Sequence, residues 1–262
     1  MSSAVSPYLP AGDRRWLLVS ICQFTIVAAF IAFWQTGPSF VFDEMLVSRP
    51  SLIFAQTAKW LGDGVLFGAT LATLKVVLTG LLFGGVAGVT FGLAAALWRP
   101  IELVIEPIVE ILFALPKSAF VPLFILWFGI SFRQHAIFTA TVVFFFFFLA
   151  TFNGVRSVPI ALRNVLSLSG ASTWQTVHLL YLPASTDWML AGLRLAMPQA
   201  FLAAITAEVI ASRDGLGHLV KANAAVMNAA GMLAALLFLV LLSVALSATA
   251  LFVGEQSRWR VR

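Results

Sequence analysis

Charged residues are scarce in this sequence. They make up 10% of the 262 residues, whereas hydrophobic residues make up 61% and the mean hydropathy is +0.98. A soluble globular domain contains roughly 25% charged residues. So few charges cannot cover the surface of a soluble protein of this length, which excludes a soluble domain. We expect an integral membrane protein.

Cysteine pairs, nucleotide-binding motifs and catalytic clusters are also missing. Cys22 is the only cysteine, so no intrachain disulfide can form, and a zinc or thiol site has no support. The sequence has no G-x-x-x-x-G-K-[ST] segment, and therefore no backbone cradle for the phosphates of ATP. His135, His178 and Glu208 are too scattered to indicate a metal or catalytic site. We expect this chain not to be an enzyme and to hold no metal.

Alternation of apolar and polar residues, the pattern of a membrane β-strand, is missing as well. The apolar runs are continuous instead, and several reach the roughly 20 residues that a membrane-spanning helix needs. We predict an all-α integral membrane protein with six transmembrane helices and a short interfacial helix near Ser51–Leu61. The predicted spans are residues 16–34, 65–98, 101–129, 136–152, 188–212 and 230–253.

The same pattern predicts the domain organisation. Residues 1–15 form a tail, residues 16–254 a single membrane domain that includes a loop at 153–184, and residues 255–262 a second tail. A basic pair before the first apolar run is also typical of a signal peptide. The run is long and no A-x-A-like cleavage site follows it, which favours an uncleaved anchor.

The basic residues predict the orientation of the six spans, because positive charge concentrates on the cytoplasmic side. An even number of spans places both tails on one side of the membrane. If that side is the cytoplasm, the inner segments carry Arg14, Arg15, Arg99, Arg156, Arg163, Arg258, Arg260 and Arg262, and the outer segments carry Arg49, Lys59, Arg133, Arg213 and Lys221. The net charge of +5 is therefore interpreted as a membrane-topology signal and not as a nucleic-acid-binding surface.

Small residues, phenylalanines and prolines mark three features inside the spans. Gly80, Gly84, Gly88 and Gly92 recur at every fourth position, a spacing that lets two helix backbones approach closely in lipid. The run Phe144–Phe148 is interpreted as packing against lipid or other helices. The third span contains three prolines, each of which removes a backbone hydrogen bond and bends or breaks a helix. They are Pro107, Pro116 and Pro122.

A less apolar segment, Leu166–Pro183, separates the fourth and fifth spans. It begins with a break at Gly170, after which Ser172 or Thr173 can cap a short helix by accepting from free N–H groups of its first turn. Pro183 is expected to end that helix, because it lacks an N–H and disfavours helix in the preceding residue. Composition alone leaves two interpretations open: a connecting loop at the membrane surface, or a helix that docks on a cytoplasmic partner.

Two stretches resemble one family, the inner-membrane permease subunits of binding-protein-dependent ABC importers, in the branch that handles sulfonate, nitrate and taurine. The first is the cytoplasmic "EAA" loop of that family, in which Gly170, Leu180, Leu182 and Pro183 match, while the E-A-A positions hold Asn164, Val165 and Leu166. The second is L-P-K-S-A-F-V-P-L-F-I-L-W-F-G, residues 115–129. The resemblance extends from about Ser51 to the C-terminus.

The resemblance implies the fold of a type I ABC importer permease in the inner membrane of a bacterium. It also implies a second permease subunit, two cytoplasmic ATP-binding subunits that hold ATP and Mg, and an external solute-binding protein. The solute is expected to be a small anion such as a sulfonate or nitrate. The implied ATPase-coupling residues are Arg163, Gly170, Ala171, Ser172, Trp174, Leu180, Leu182 and Pro183. A self-contained channel or an ion-coupled secondary transporter remains the alternative.

Ionisable residues within spans are candidates for the translocation path, because a charge in the centre of a bilayer usually faces protein or water. Lys117 lies in the most broken helix and is interpreted either as a path residue that attracts anions or as the partner of Glu110 or Glu208. Glu208 is expected to pair with a basic group across the bundle or the dimer seam, or to be a carboxylate at the membrane interface. The predicted path residues are Pro116, Lys117, Pro122 and Glu208, and Glu102, Glu106 and Glu110 line the inner mouth or pair with Arg99 or Arg194.

Overall fold

A computed structural model of the chain describes residues 12–36 and 47–258. Of the predicted tails, residues 1–15 and 255–262, the parts at 1–11 and 259–262 lie outside this range, whereas residues 12–15 and 255–258 belong to helices. The described residues fold almost entirely into helices. They are α1 Gly12–Thr36, α2 Pro50–Gly62, α3 Val65–Leu97, α4 Arg99–Ala114, α5 Val121–Phe128, α6 Phe132–Arg156, α7 Ile160–Leu168, α8 Thr173–Thr176, α9 Leu182–Ala211, α10 Leu216–Ala225 and α11 Ala229–Arg258.

The helix lengths confirm the predicted fold class. Five segments of the described chain are long and apolar enough to cross a membrane, and a sixth results if α4 and α5 count as one bent span. The short helix α2 begins with Pro50 in its first turn, where the missing N–H of proline costs nothing. The span predicted from residue 188 starts earlier, because α9 already begins at Leu182.

The glycine repeat of α3 packs directly against α6, as its spacing predicts. Each glycine lies so close to α6 that a Cβ atom would overlap it. The contacts join Gly80 to Thr139, Gly84 to Ala140, Gly88 to Phe144, and Gly92 to Phe148. Because both residue numbers rise together, α3 and α6 are parallel.

This parallel arrangement settles how the chain crosses between α3 and α6. The chain leaves α3 at one end of the bundle and enters α6 at the other, so the intervening pair α4–α5 must cross the bundle. The two helices meet at 86°. They therefore form one broken span and not a re-entrant loop, which gives six crossings.

Helix α9 is antiparallel to α6. Gly154, near the end of α6, packs on Ser185, near the start of α9, whereas His135 near the start of α6 bonds the carbonyl of Ala211 at the end of α9. We call the two ends of the bundle the His135 end, which includes Val65 and Ala211, and the Arg156 end, which includes Leu97 and Ser185.

Helix α6 begins at Phe132, earlier than the predicted start of the fourth span at residue 136. The hydroxyl of Ser131 accepts a hydrogen bond from the backbone N–H of Gln134 and caps the helix. His135 is buried, with Nε2 2.9 Å from the oxygen of Ala211. A carbonyl at the end of α9 thus gives the imidazole a partner that the sequence does not reveal.

The phenylalanine run fills the space between helices, in agreement with its interpretation as packing. Phe144 lies edge-on to Phe91 of α3, with ring centres 6.1 Å apart. Phe146 lies edge-on to Phe113 of α4, with ring centres 5.1 Å apart. The run therefore joins α6 to both neighbours.

Replacing Gly88 by alanine is expected to destabilise the bundle. The new Cβ would lie 2.6 Å from the carbonyl oxygen of Phe144 and 2.7 Å from Cβ of Phe147, so two backbones must separate. Overpacking of this kind costs about 1–3 kcal/mol. Thermal unfolding in detergent should show a lower Tm for Gly88→Ala and an equal or higher Tm for Gly68→Ala, where a Cβ meets nothing within 4 Å and alanine favours the helix. Equal Tm values would contradict the packing role of the repeat.

Candidate functional site

We call the segment between α6 and α9 the elbow (residues 157–181). At its centre, the break at Gly170 and the helix cap that follows it have the geometry predicted from the sequence. Gly170 has φ +74°, a left-handed conformation that ends α7. Ser172 then caps α8: its hydroxyl accepts from the N–H of Gln175 at 3.3 Å, and the amide oxygen of Gln175 accepts from the N–H of Ser172 at 2.8 Å. This reciprocal pair is a capping box, and it identifies Ser172 rather than Thr173 as the cap.

The prediction that Pro183 ends this helix is wrong. Helix α8 continues through one π-helical turn, Val177–Tyr181, into α9, and Pro183 lies in the first turn of α9. In the π turn, the N–H of Leu182 donates to the oxygen of Val177, five residues earlier. Such local adjustments satisfy the backbone groups that a proline frees. The coupling segment and the fifth span are therefore one continuous helix.

Arg163 fixes α7 to both neighbouring spans. Its Nη2 donates to the carbonyl oxygen of Val155, in the last turn of α6, at 2.9 Å. Its guanidinium lies 5.3 Å from the ring centre of Tyr181, next to the start of α9. Arg163 is half-buried, and these contacts hold the elbow together.

Three large apolar side chains of the elbow are exposed, and we call them the elbow face. They are Leu168, Trp174 and Leu179, with exposed fractions of 89%, 70% and 68%. The rings of Trp174 and His178 are in contact at a tilt of 46°, with ring centres 4.0 Å apart. Of the other predicted coupling residues, Ala171, Leu180 and Leu182 are half-buried. Leu168 ends α7, Trp174 lies on the capped helix α8 and Leu179 lies in the π turn. A large exposed apolar patch is typical of a site that binds protein or membrane.

The second candidate region is the break between α4 and α5. Pro116 lies between the helices and its carbonyl accepts from the N–H of Ala119 at 3.0 Å, which starts a 3₁₀ turn, Lys117–Phe120. Pro122 does not break a helix but starts α5, and Pro107 lies inside α4 without ending it. One of the three prolines therefore accounts for the break.

Lys117 points back along the broken span. Its Nζ donates to the carbonyl oxygen of Phe113 at 2.6 Å and lies 4.6 Å from the ring centre of Phe113 and 5.4 Å from that of Phe145. Within the described ranges, it forms no ion pair with Glu110 or Glu208, so that interpretation is wrong. The carbonyl oxygen of Phe113 and the rings of Phe113 and Phe145 stabilise the ammonium group, but they do not neutralise its charge.

A cavity of about 260 Å³ adjoins the break. It lies between the break, α6 and α9, and it combines hydrogen-bonding side chains with apolar ones. The lining residues are Leu115, Lys117, Ser118, Phe138, Val142, Gln199, Leu202, Ala203 and Thr206. An ammonium group beside hydroxyl and amide groups can bind a small anion.

Glu208 lies at the His135 end and not at the break. It is 2% exposed and accepts hydrogen bonds from the hydroxyl of Thr73 and the N–H of Gly217, each at 2.9 Å. No basic group forms an ion pair with it in the part of the chain that the structure describes. The predicted interfacial position is wrong, because Glu208 is buried, and within this bundle a hydroxyl and a backbone amide take the place of a cation.

At the Arg156 end, Glu106 of α4 pairs with Arg156 of α6. The guanidinium of Arg156 also lies 5.2 Å from the ring centre of Phe152. The predicted partners of the acidic row were Arg99 and Arg194. Glu106 pairs with Arg156 and not with Arg194, because α4 packs against the end of α6, and sequence spacing gives no signal of that contact. The side chains of Arg99 and Glu102 lie outside the described residues.

Three comparisons relate this chain to known proteins. The profile of a family described as "Binding-protein-dependent transport system inner membrane component" matches residues 88–257. The putative aliphatic sulfonates transport permease protein SsuC of Bacillus subtilis is 30% identical over 194 residues, which cover 74% of this chain and 70% of SsuC. The taurine transport system permease protein TauC of Escherichia coli is 26% identical over 216 residues, which cover 79% and 78%.

Solved structures match the fold. An inward-facing structure of the MetNI methionine ABC transporter has a TM-score of 0.64 at 19% identity and covers 76% of this chain and 96% of the matched one. A bacterial transporter that imports the acidic polysaccharide alginate has a TM-score of 0.64 at 14% identity and covers 93% and 96%. At these identities the likeness concerns the fold alone.

Proposed function

This chain belongs to the family of binding-protein-dependent transport system inner membrane components and is the permease component of an ABC importer, and we propose that it carries a small organic or inorganic anion across the membrane. Lys117 at the break between α4 and α5 is the observation that carries the substrate class. A cation that lines a cavity inside a membrane bundle favours an anionic solute.

The relatives alone do not define the solute. SsuC and TauC are named for sulfonates and taurine, whereas another relative, RibX of Chloroflexus aurantiacus, 28% identical, is named for riboflavin. The cavity of about 260 Å³ suits a solute with few non-hydrogen atoms. Lys117 would bind its charged group, and Ser118 and Gln199 would donate hydrogen bonds to it, whereas the hydroxyl of Thr206 already donates to the carbonyl oxygen of Leu202.

The proposed orientation places the Arg156 end in the cytoplasm of a bacterial cell, with both tails on that side. It rests on the excess of basic residues in segments at that end. In this orientation the elbow face meets a cytoplasmic ATP-binding subunit. The complete importer contains two permease subunits, two ATP-binding subunits that hold ATP and Mg, and an external solute-binding protein.

The elbow supports a mechanism of coupling. Helix α8 is continuous with α9 through the π turn, and Arg163 joins α7 to the end of α6. A displacement of the elbow by the ATP-binding subunit would therefore move α6 and α9 together. Both helices line the cavity at the break, so this movement changes the access to the cavity from either side of the membrane.

Replacing Lys117 by glutamine tests this function. The variant keeps a polar side chain, one atom shorter than lysine, but removes its charge. Hydrogen bonds to charged groups contribute about 1.5–3 kcal/mol, so anion uptake should fall about tenfold or more. Uptake is measured in liposomes that contain the complex with its ATPase and its binding protein, with candidate sulfonates as solutes.

Lys59→Gln is the matched control, because Lys59 is exposed on α2, far from the break. Normal uptake by Lys117→Gln, with normal assembly, would remove Lys117 from the path. Flux through this chain alone, driven by a proton or sodium gradient, would contradict ATP-driven import and favour a secondary transporter.

A further inference from the structure

A buried carboxylate joins three helices at the His135 end. Glu208 of α9 accepts from the hydroxyl of Thr73 of α3 and from the N–H of Gly217 in the first turn of α10. The oxygen of the Thr73 hydroxyl in turn accepts from the N–H of Leu216 at 2.9 Å. Two otherwise unpaired N–H groups at the start of α10 are thus bonded to a pair of side chains from two spans.

The first turn of α10 fits closely around this carboxylate. A Cβ atom on Gly215, which has φ +100°, would overlap the carboxylate of Glu208. A Cβ atom on Gly217 would lie 2.7 Å from Cβ of Glu208. The G-L-G sequence therefore lets the backbone of α10 reach a carboxylate that side chains would otherwise cover.

An open cavity of about 580 Å³ adjoins these contacts. Its wall includes Glu208 itself and several other ionisable residues. They are Lys75, His135, Arg213, Asp214 and His218. Water in this cavity can solvate the carboxylate and the N–H groups of α10 once they separate, so α10 has room and solvent for a second position.

We propose that Thr73 and Glu208 are positioning residues that hold α10 across the His135 end, and that these hydrogen bonds break and form again in each transport cycle. The proposal rests on the proposed import function and assigns α10 as the element that opens the bundle to the outside. In a low-dielectric interior a partly satisfied polar network is costly. The network is therefore stable when all three bonds are made, or when α10 has left and water has replaced it.

Hydrogen–deuterium exchange of the complete importer in lipid nanodiscs tests this inference. The exchange of residues 212–226 is compared between the nucleotide-free complex and a complex trapped with ATP by a hydrolysis-deficient ATPase. The N–H groups of Leu216 and Gly217 should exchange at least tenfold faster in one of the two states, because local opening sets their exchange rate.

Three variants refine the test. Thr73→Val removes the hydroxyl that donates to Glu208 and accepts from Leu216, so exchange should be fast in both states and uptake should fall about tenfold. Thr73→Ser retains the hydroxyl and should behave as the unaltered protein. Thr70→Val is the matched control, because Thr70 lies one turn earlier on α3 and bonds only the carbonyl of Leu66 in its own helix.

Two outcomes would overturn the inference. One is equally slow hydrogen exchange of α10 in both nucleotide states of the unaltered complex. This measurement tests the inference even if Thr73→Val fails to fold. The other is fast exchange in Thr73→Val with uptake and ATP hydrolysis unchanged, which would make the contact purely structural. A state-dependent exchange in a complex that imports no anion would support the role of α10 and contradict the proposed substrate.

Discussion

Replacing Trp174 by glutamate is expected to abolish the association of this chain with its ATP-binding subunit and, with it, all ATP-driven uptake. Trp174 is 70% exposed on a short capped helix, so the substitution leaves the bundle intact. An aromatic residue at the centre of a protein interface commonly contributes 2 kcal/mol or more, or about thirtyfold in affinity. A buried charge without a partner adds to that loss.

Co-purification from membranes measures the association, and uptake into vesicles measures the consequence. Trp174→Phe is the matched control, because it keeps an apolar ring on the elbow face and should retain most of both. If Trp174→Glu co-purifies with the ATP-binding subunit as well as the unaltered chain does, the elbow face is not the docking surface.

Replacing Gly170 by valine is expected to have the second-largest effect. Gly170 has φ +74°, and a Cβ atom there meets nothing within 4 Å, so the cost comes from the backbone alone. A β-branched residue in this conformation costs about 1–3 kcal/mol. The chain avoids that cost by changing the angle between α7 and α8, which displaces Trp174 from its partner.

Gly170→Asn separates this backbone effect from the effect of a larger side chain, because asparagine tolerates the left-handed conformation. We expect Gly170→Val to reduce uptake about tenfold or more and Gly170→Asn to reduce it about twofold, each measured with equal amounts of assembled complex. Equal uptake by the two variants would show that the left-handed turn is not required for coupling.

Local features of this protein could be predicted from its sequence. The fourfold spacing of glycines in α3 gives the packing face, because the spacing of one helix determines which residues share a side. The cap at Ser172 depends on residues within one turn, and the break at Pro116 depends on a single missing N–H. Each of these features is complete within a short segment.

Features that depend on contacts between distant segments could not be predicted. Nothing near Glu208 in the sequence indicates that Thr73 and the start of α10 supply its donors. The pairing of Glu106 with Arg156 follows from the position of α4 beside α6, and no spacing rule contains it. Pro183 is a related case. Its sequence context predicts the end of a helix, but the π turn at Val177–Tyr181 lets the helix continue, and local helix propensities do not predict a π turn.

The parallel contact between α3 and α6 has a consequence for how the protein is made. The glycine face of α3 leaves the ribosome well before Thr139, Ala140 and Phe144, and the whole broken span α4–α5 is synthesised in between. Until α6 arrives, that face has no permanent neighbour in the bilayer. The broken span must therefore enter the membrane before α3 and α6 can pack on each other, so this contact forms only after α6 has been synthesised.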